Sequence, residues 1–353
     1  MMKLEPIGLD PGFGNVKVAT QDSVVVMPSL VAAPRKVGLA ASGLRLAKAT
    51  IVQVADKEYA LGSGAPFRGV AYESIDDMRF VASPTMALML GAIAKALGRH
   101  ERCIGLMVGL PVSLLQASGQ SGDLTRTLRQ QLLGPHHIRV DGTPFTLDIR
   151  RVWVRAQPLG VWAEWAVAPS GELHPGARKM LVGIVDIGFH TVDLLGVEGG
   201  QAHLGMMAGA DLGVRVLLEE AAADEDLPYY ELLRRYSDGS LTPGEDALAR
   251  WASKLGSFIR RRWADMRPRL VIIAGGGVAL LQQKGLLDHL RRAVRSEAYV
   301  PPDPIAAGAR GLCKLATALL AREQTKHQEE PERRQEEPDD QAAVGVREPA
   351  GDF

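Results

Sequence analysis

An aspartate followed closely by glycines occurs twice in this chain, about one domain apart, each time between two short apolar runs. The first turn reads Asp10-Pro11-Gly12-Phe13-Gly14-Asn15-Val16-Lys17 and follows Ile7-Gly8-Leu9. The second reads Asp186-Ile187-Gly188-Phe189-His190-Thr191-Val192-Asp193 and follows Leu181-Val182-Gly183-Ile184-Val185. Each pattern predicts a β-hairpin whose tight turn presents backbone N–H groups, with a carboxylate fixed at its mouth. Two such turns face to face clamp a nucleotide's phosphates from both sides. The amides and Lys17 answer the phosphate charge, and Asp10 and Asp186 hold Mg²⁺ largely through water. One turn is commonplace, because Asp-x-Gly joins hairpins of many kinds. The pair constrains far more.

A third element completes the set. Leu270 to Ala274 is a buried-strand pattern that opens onto Gly275, Gly276 and Gly277 and then an apolar helix-like run. Glycines there let backbone approach a flat ligand or a phosphate without a Cβ in the way. In order and spacing the three turns resemble the phosphate-one, phosphate-two and adenosine turns of the actin and sugar-kinase ATPase superfamily.

Within it, the chain is most similar to the bacterial and archaeal actin-like proteins of plasmid segregation, the ParM group. Asp10 to Lys17 keeps the D-x-G-x-x-x-x-K spacing of actins. Val26-Met27-Pro28-Ser29-Leu30-Val31 resembles the Pro-Ser segment of the group, and Val108-Gly109-Leu110-Pro111-Val112-Ser113 its strand end. Asp303 to Gly311 resembles its closing helix, so the likeness runs from about residue 4 to about residue 320. Phe189 and His190 depart from it, standing where the family often has glycine or another small residue. The resemblance implies an α/β actin-like ATPase fold, with two related domains around a central nucleotide cleft. It implies ATP and Mg²⁺ as ligands, contacted by Asp10, Gly12, Phe13, Gly14, Asn15, Lys17, Asp186, Gly188, Phe189, His190, Thr191, Gly275, Gly276 and Gly277. It also implies self-assembly into filaments, with a DNA-bound adaptor as a partner.

The hydrolytic group is expected between the two phosphate turns. Val152 to Gly160 reads as a strand ending in Gln157 and then a helix start. Gln157 resembles the residue with which actins orient the attacking water, and an amide suits a reaction catalysed by positioning and charge stabilisation. Glu164, two turns down the same helix, is the alternative, since ParM-like relatives place a carboxylate nearby. A small-molecule kinase on the same fold, or a nucleotide-dependent scaffold that does not hydrolyse, are the competing functions. The kinase needs a carboxylate base facing a substrate hydroxyl.

Along the chain strands and helices alternate, as in an α/β protein. Strands are expected at Val24–Met27, Thr50–Val54, Glu58–Leu61, Arg102–Val108, Phe145–Val154, Met180–Val197 and Ala202–Met207, and helices at Ser83–Leu97 and Asp123–Leu133. Thr242-Pro243-Gly244-Glu245 has the form of a capping box, with Thr242 as N-cap. His136-His137 lacks ligands at metal spacing and reads as a polar loop. Ala32 to Lys48, with Arg35, Lys36, Arg45 and Lys48, reads as a loop, either a filament contact or a mobile surface. The domains are then expected at residues 1–165 and 166–302, with a closing helix at 303–321 and a tail at 322–353.

The net charge of zero hides a split. From Arg322 onward ten acidic residues stand against five basic ones, which leaves the body about five charges positive. That excess is too small to predict a nucleic-acid surface. The tail, poor in apolar residues, is expected to be disordered. No apolar run approaches the ~18 residues of a membrane span, and Met1-Met2-Lys3-Leu4-Glu5-Pro6 lacks a secretory pattern, so a cytoplasmic location is expected. The two cysteines, Cys103 and Cys313, are expected as buried thiols.

Overall fold

The computed structural model describes residues 4–35, 47–73, 76–98, 101–116 and 120–336. The first half supplies strands β1 (Glu5–Pro11), β2 (Asn15–Ala19), β3 (Val24–Pro28), β4 (Val31–Pro34), β5 (Thr50–Val54), β6 (Lys57–Leu61), β7 (Gly69–Ala71), β8 (Glu101–Leu110), β9 (Gly134–Val140) and β10 (Thr143–Ala156). Its helices are α1 (Ser83–Leu97), α2 (Val112–Gln116), α3 (Gln120–Leu132) and α4 (Gln157–Ala166). The second half supplies β11 (Leu181–Ile187), β12 (Val192–Glu198), β13 (Gln201–Ala210), β14 (Leu270–Ala274) and β15 (Glu297–Tyr299). Its helices are α5 (Val214–Ala221), α6 (Tyr229–Ser237), α7 (Glu245–Arg262), α8 (Gly276–Gln283) and α9 (Leu287–Val294), and α10 (Ala307–Glu336) follows.

The strands form two sheets, in the orders β3-β2-β1-β8-β10-β9-β5-β6-β4-β7 and β13-β12-β11-β14-β15. The first five strands of the larger sheet repeat the plan of the smaller one. In each, a three-strand antiparallel meander ends on the strand that carries the aspartate, and two parallel strands follow. Each aspartate therefore sits at the carboxyl end of its strand, where open α/β sheets bind ligands. Burial enforces this arrangement. Strand β14 is buried at every position, as its Leu-Val-Ile-Ile-Ala sequence requires of a parallel strand covered on both faces.

Helix α10 leaves the second half and packs on the first. It runs antiparallel to β8, with Leu312 against Gly109 and Leu320 against Gly105. It crosses α4 where Gly311 meets the Gly160 carbonyl, a contact with no room for a Cβ. Cys313 on this helix is buried, its thiol donating to the Pro6 carbonyl at 3.4 Å and pushed up to about 12 by burial. Cys103 is only half-buried, and both thiols are free.

Several local expectations are corrected. The segment from Ala32 was expected as loop, yet β4 begins at Val31 and pairs with β6 and β7, two of the shortest ladders in the sheet. Of its charges, Lys36 and Arg45 lie outside the described residues. His136 and His137 belong to β9, a strand hidden by its low apolar content: the His136 ring nitrogen Nε2 meets the Leu132 carbonyl at 2.8 Å, and His137 Nδ1 meets Thr146 Oγ1 at 3.3 Å. The capping box does not form. Gly244 in extended conformation is the N-cap of α7, with no side-chain cap, and Thr242 and Pro243 line a cleft instead. The tail was expected to be disordered from residue 322, but α10 continues to Glu336, helped by an ion pair from Glu323 to Arg151 at 3.2 Å. Residues 337–353 of that tail lie outside the described residues.

The α4–α10 crossing yields a test. Gly311→Ala forces a methyl into the Gly160 carbonyl and is expected to cost about 1–3 kcal/mol, the usual range for overpacking a close contact. Urea denaturation reads this as a lowered midpoint with an unchanged slope.

Candidate functional site

Where the carboxyl ends of the two sheets meet, a cleft of about 530 Å³ opens, within the range of small-molecule sites. Its walls include Asp10, Gly12, Phe13, Gly14, Asn15, Lys17 and Gln157 from the first half. From the second come Asp186, Gly188, Phe189, His190, Thr191, Gly275 and Gly276. Of the residues singled out in the sequence, Gly277 and Glu164 are elsewhere. A Cβ on Gly277 would strike the Ile187 and Trp251 side chains, so this glycine packs α8 against β11. Glu164 pairs with Lys314 Nζ at 2.8 Å, outside the cleft wall.

Asp10 is the best-held carboxylate. The β1–β2 register places Lys17 directly opposite, and Lys17 Nζ donates to Asp10 Oδ2 at 2.9 Å. Gln157, the first residue of α4, donates from Nε2 to Asp10 Oδ1 at 2.8 Å. That bond fixes the amide's orientation and turns Oε1 away from Asp10.

The second hairpin brings two more carboxylates. Asp193 is buried; its Oδ2 accepts from the Thr191 hydroxyl at 2.9 Å and its Oδ1 from the Val112 N–H at 3.0 Å, which ties β12 to α2 of the other half. Desolvation, reinforced by Asp186, pushes Asp193 up to about 7. Desolvation and the charge of Asp10 raise Asp186 to about 6, against the opposing pull of Lys17. Sequence reading quoted Asp193 within the second turn but gave it no role. The i, i+2 spacing of Thr191, just before β12, and Asp193 within it was the available signal.

The turn tips touch. The Phe13 ring lies 4.5 Å from the His190 ring, and the Tyr229 hydroxyl donates to the Phe13 carbonyl at 2.9 Å. A Cβ on Gly14 would lie 2.6 Å from Phe189 Cβ, so the phenylalanine seats directly on that glycine. Behind Phe13 the guanidinium of Arg79 stacks 4.3 Å over the ring. Arg79 is only 6% exposed and forms no ion pair among the described residues, so the aromatic face is a main source of its stabilisation. Burial, then the Arg215 charge, lower the His190 pKa, which leaves the ring neutral at pH 7.

Beyond the turns the cleft widens. Gly275 has φ of +96°, and a Cβ there would collide with the Ile187 carbonyl and Asp186 Oδ1. The N-terminus of α8 then opens at the cleft through Gly276, a geometry that favours anions. Tyr236, Leu241, Pro243, Leu280 and Ile305 form a largely apolar wall opposite, suited to a flat ring. Apart from the capping-box misreading at Thr242 and Pro243, nothing in their spacing marks these residues.

The donor set fits a hydrated divalent cation. Asp10 and Asp186 share the cleft and repel each other, and a cation held by them would relieve that repulsion. Among the described residues no group of three or more His, Cys, Asp or Glu side chains is placed to hold a metal ion.

Residues 8–160 match the family model described as the N-terminal domain of actin-like proteins. The chain has the actin-like fold. It superposes on the pSK41 ParM protein in its apo form with a TM-score of 0.69 at 15% identity, covering 91% of this chain and 99% of that one. The archaeal actin homolog Ta0583 in complex with ADP gives 0.65 at 16%, covering 88% and 98%. A 15-stranded ParM filament from Clostridium botulinum gives 0.64 at 16%, covering 90% and 99%. No curated protein matches the sequence. No helix among the described residues is long and apolar enough to cross a membrane.

The raised carboxylates set a pH dependence for the ligand-free protein. Unfolded, Asp186 and Asp193 ionise near 3.9; folded, they hold their protons to about 6 and about 7. The native state thus binds more protons in between. Their contribution is fully present below about pH 4 and is lost as pH rises through the folded values. Urea denaturation from pH 4 to 8 should show wild type losing stability across this window relative to an Asp186→Asn/Asp193→Asn variant, whose profile is flatter.

Proposed function

We propose that this chain, built on the actin-like fold, is an ATPase of the ParM type. It binds Mg-ATP between residues 1–165 and 166–302, hydrolyses it, and polymerises head to tail. The filaments serve plasmid segregation or another cytoskeletal task in the cytoplasm, through a DNA-bound adaptor protein. One observation carries the reading: Asp10, held by both Lys17 and Gln157, faces a second aspartate hairpin across a cleft of nucleotide size. The ADP complex of the archaeal homolog and the botulinum ParM filament support the same assignment.

Asp10 and Asp186 would hold Mg²⁺, which supplies charge neutralisation on the phosphates. Lys17 is placed to meet phosphate oxygen, and the turn amides at Gly12 to Asn15 and Gly188 to Thr191 cradle the rest. Gln157 orients water through its Oε1 while Asp10 anchors its Nε2. An amide is no strong base, so the residue works by alignment. Glu164, turned to Lys314, is poorly placed to act as a base in the cleft. Phe189 on Gly14 and His190 on Phe13 narrow the gap between turns, and these contacts favour a second reading, a scaffold that binds nucleotide without hydrolysing it. Head-to-tail contacts that do not close on themselves make filaments.

Gln157→Ala is expected to keep nucleotide affinity within a few fold while slowing hydrolysis by roughly 10²–10⁴. Phosphate release under single-turnover conditions measures it. Light scattering and electron microscopy should then show filaments that form with ATP and persist longer in Gln157→Ala than in wild type. Filaments with no phosphate release in either protein favour the scaffold. Only monomers with ATP, ADP and a non-hydrolysable analogue would remove polymerisation from the account.

A further inference from the structure

A second cavity, of about 550 Å³, lies between α3 and β10. Arg126 and Arg129 line it from the helix, Leu133 from just beyond the helix end, and Trp153 and Arg155 from the strand. Among the described residues no carboxylate lines it. Arg126 has Asp123 at 3.4 Å, but both are more than two-thirds exposed, so that pair holds little. Arg129 and Arg155 form no ion pair among the described residues. Leu133 is 44% exposed, which adds an apolar face to a cationic groove.

The backbone beside this groove is a free sheet edge. Strand β9 pairs with β10 only from Thr143 to Ile149. From Arg151 to Ala156, β10 pairs with β8 on one side and, among the described residues, with no strand on the other. The carbonyls of Arg150 and Val154 accept instead from Arg151 Nη1 and Arg155 Nη1, the side chains of their own neighbours. Proteins rarely leave such an edge uncovered, because its N–H and C=O groups invite pairing. A cationic groove along a free edge selects an acidic segment of peptide.

The chain carries one close by. Residues 337–353 hold five acidic residues against Arg347. Helix α10 runs antiparallel to β8, and Glu323 meets Arg151 at the end of β10 nearest the tail. From Glu323 the helix continues 13 residues to Glu336, about 20 Å at 1.5 Å per residue. Returning that distance and covering Arg151 to Arg155 takes about 33 Å, or about ten residues of extended chain. The 17 residues 337–353 exceed that by about seven, slack enough for Glu348 and Asp352, four residues apart, to be brought to the groove. We propose that the groove between α3 and the free edge of β10 binds the acidic residues 337–353 of the same chain, with Arg129 and Arg155 receiving Glu348 and Asp352. This surface is separate from the nucleotide cleft and does not depend on the function proposed for it.

Hydrogen–deuterium exchange of the full-length protein tests the proposal at the amides of residues 151–156. Arg129→Glu/Arg155→Glu should raise exchange there at least tenfold, as should Glu348→Lys/Asp352→Lys. Combining all four reversals should restore most of the protection. Excess peptide of sequence 337–353 should compete with the intact tail, and protection should be independent of protein concentration. Neutral reversals, or losses that the combined variant does not rescue, overturn the proposal. Protection that grows with concentration overturns it in favour of a second copy. Protection by a duplex DNA oligonucleotide, with the tail reversals silent, overturns it in favour of nucleic acid.

Discussion

Three carboxylates share one poorly solvated cleft, and desolvation, reinforced by their mutual repulsion, governs the site. Asp10 is compensated, one oxygen by Lys17 and the other by Gln157. Asp193 is held by neutral donors, the Thr191 hydroxyl and the Val112 N–H, and burial drives Asp186 and Asp193 up to about 6 and about 7. Like charges are brought together this closely only where the fold gives no choice or a ligand repays the cost. Here the fold gives no choice, since two copies of one strand plan each deliver an aspartate to the carboxyl end of a strand. A divalent cation held by Asp10 and Asp186, as proposed, would relieve that repulsion and supply positive charge for an anionic ligand.

The turn tips extend this coupling to the two halves of the chain. Val112 donates to Asp193, Tyr229 to the Phe13 carbonyl, and Phe189 rests on Gly14. Any shift of one hairpin is therefore felt by the other. Arg79, buried with Phe13 as its principal contact, adds a stack that holds the first tip in place. The bulky Phe189 and His190 thus do the opposite of what a small residue would do: they fill the gap between the turns with side chain and join the halves by packing.

The hairpins, the glycine turn after β14 and α1 were legible because each has a local signature: alternating or continuous apolar runs, Asp-x-Gly punctuation, or Pro at a helix start; the closing helix was legible only through the family resemblance of Asp303 to Gly311. Gln157 was legible because a strand pattern breaks into a helix pattern at that residue. Arg79 was not, since a buried arginine is indistinguishable from a surface one until Phe13 is placed above it. Strands β4 and β9 escaped because tertiary pairing outweighs weak propensity. Gly277 misled because three adjacent glycines look equivalent, while only the backbone shows that Gly275 takes the left-handed turn and Gly277 packs on Ile187. The helix beyond Arg322 escaped because the Glu323–Arg151 ion pair joins residues far apart in sequence.

The central claim is that carboxylate repulsion in the cleft is relieved by a nucleotide-bound cation. Isothermal titration of ADP at pH 8, with Mg²⁺ and with EDTA, tests it directly. The account predicts at least tenfold tighter binding with Mg²⁺, and loss of most of that difference in Asp186→Asn. Equal affinity with and without metal, or a metal effect untouched by Asp186→Asn, would contradict it.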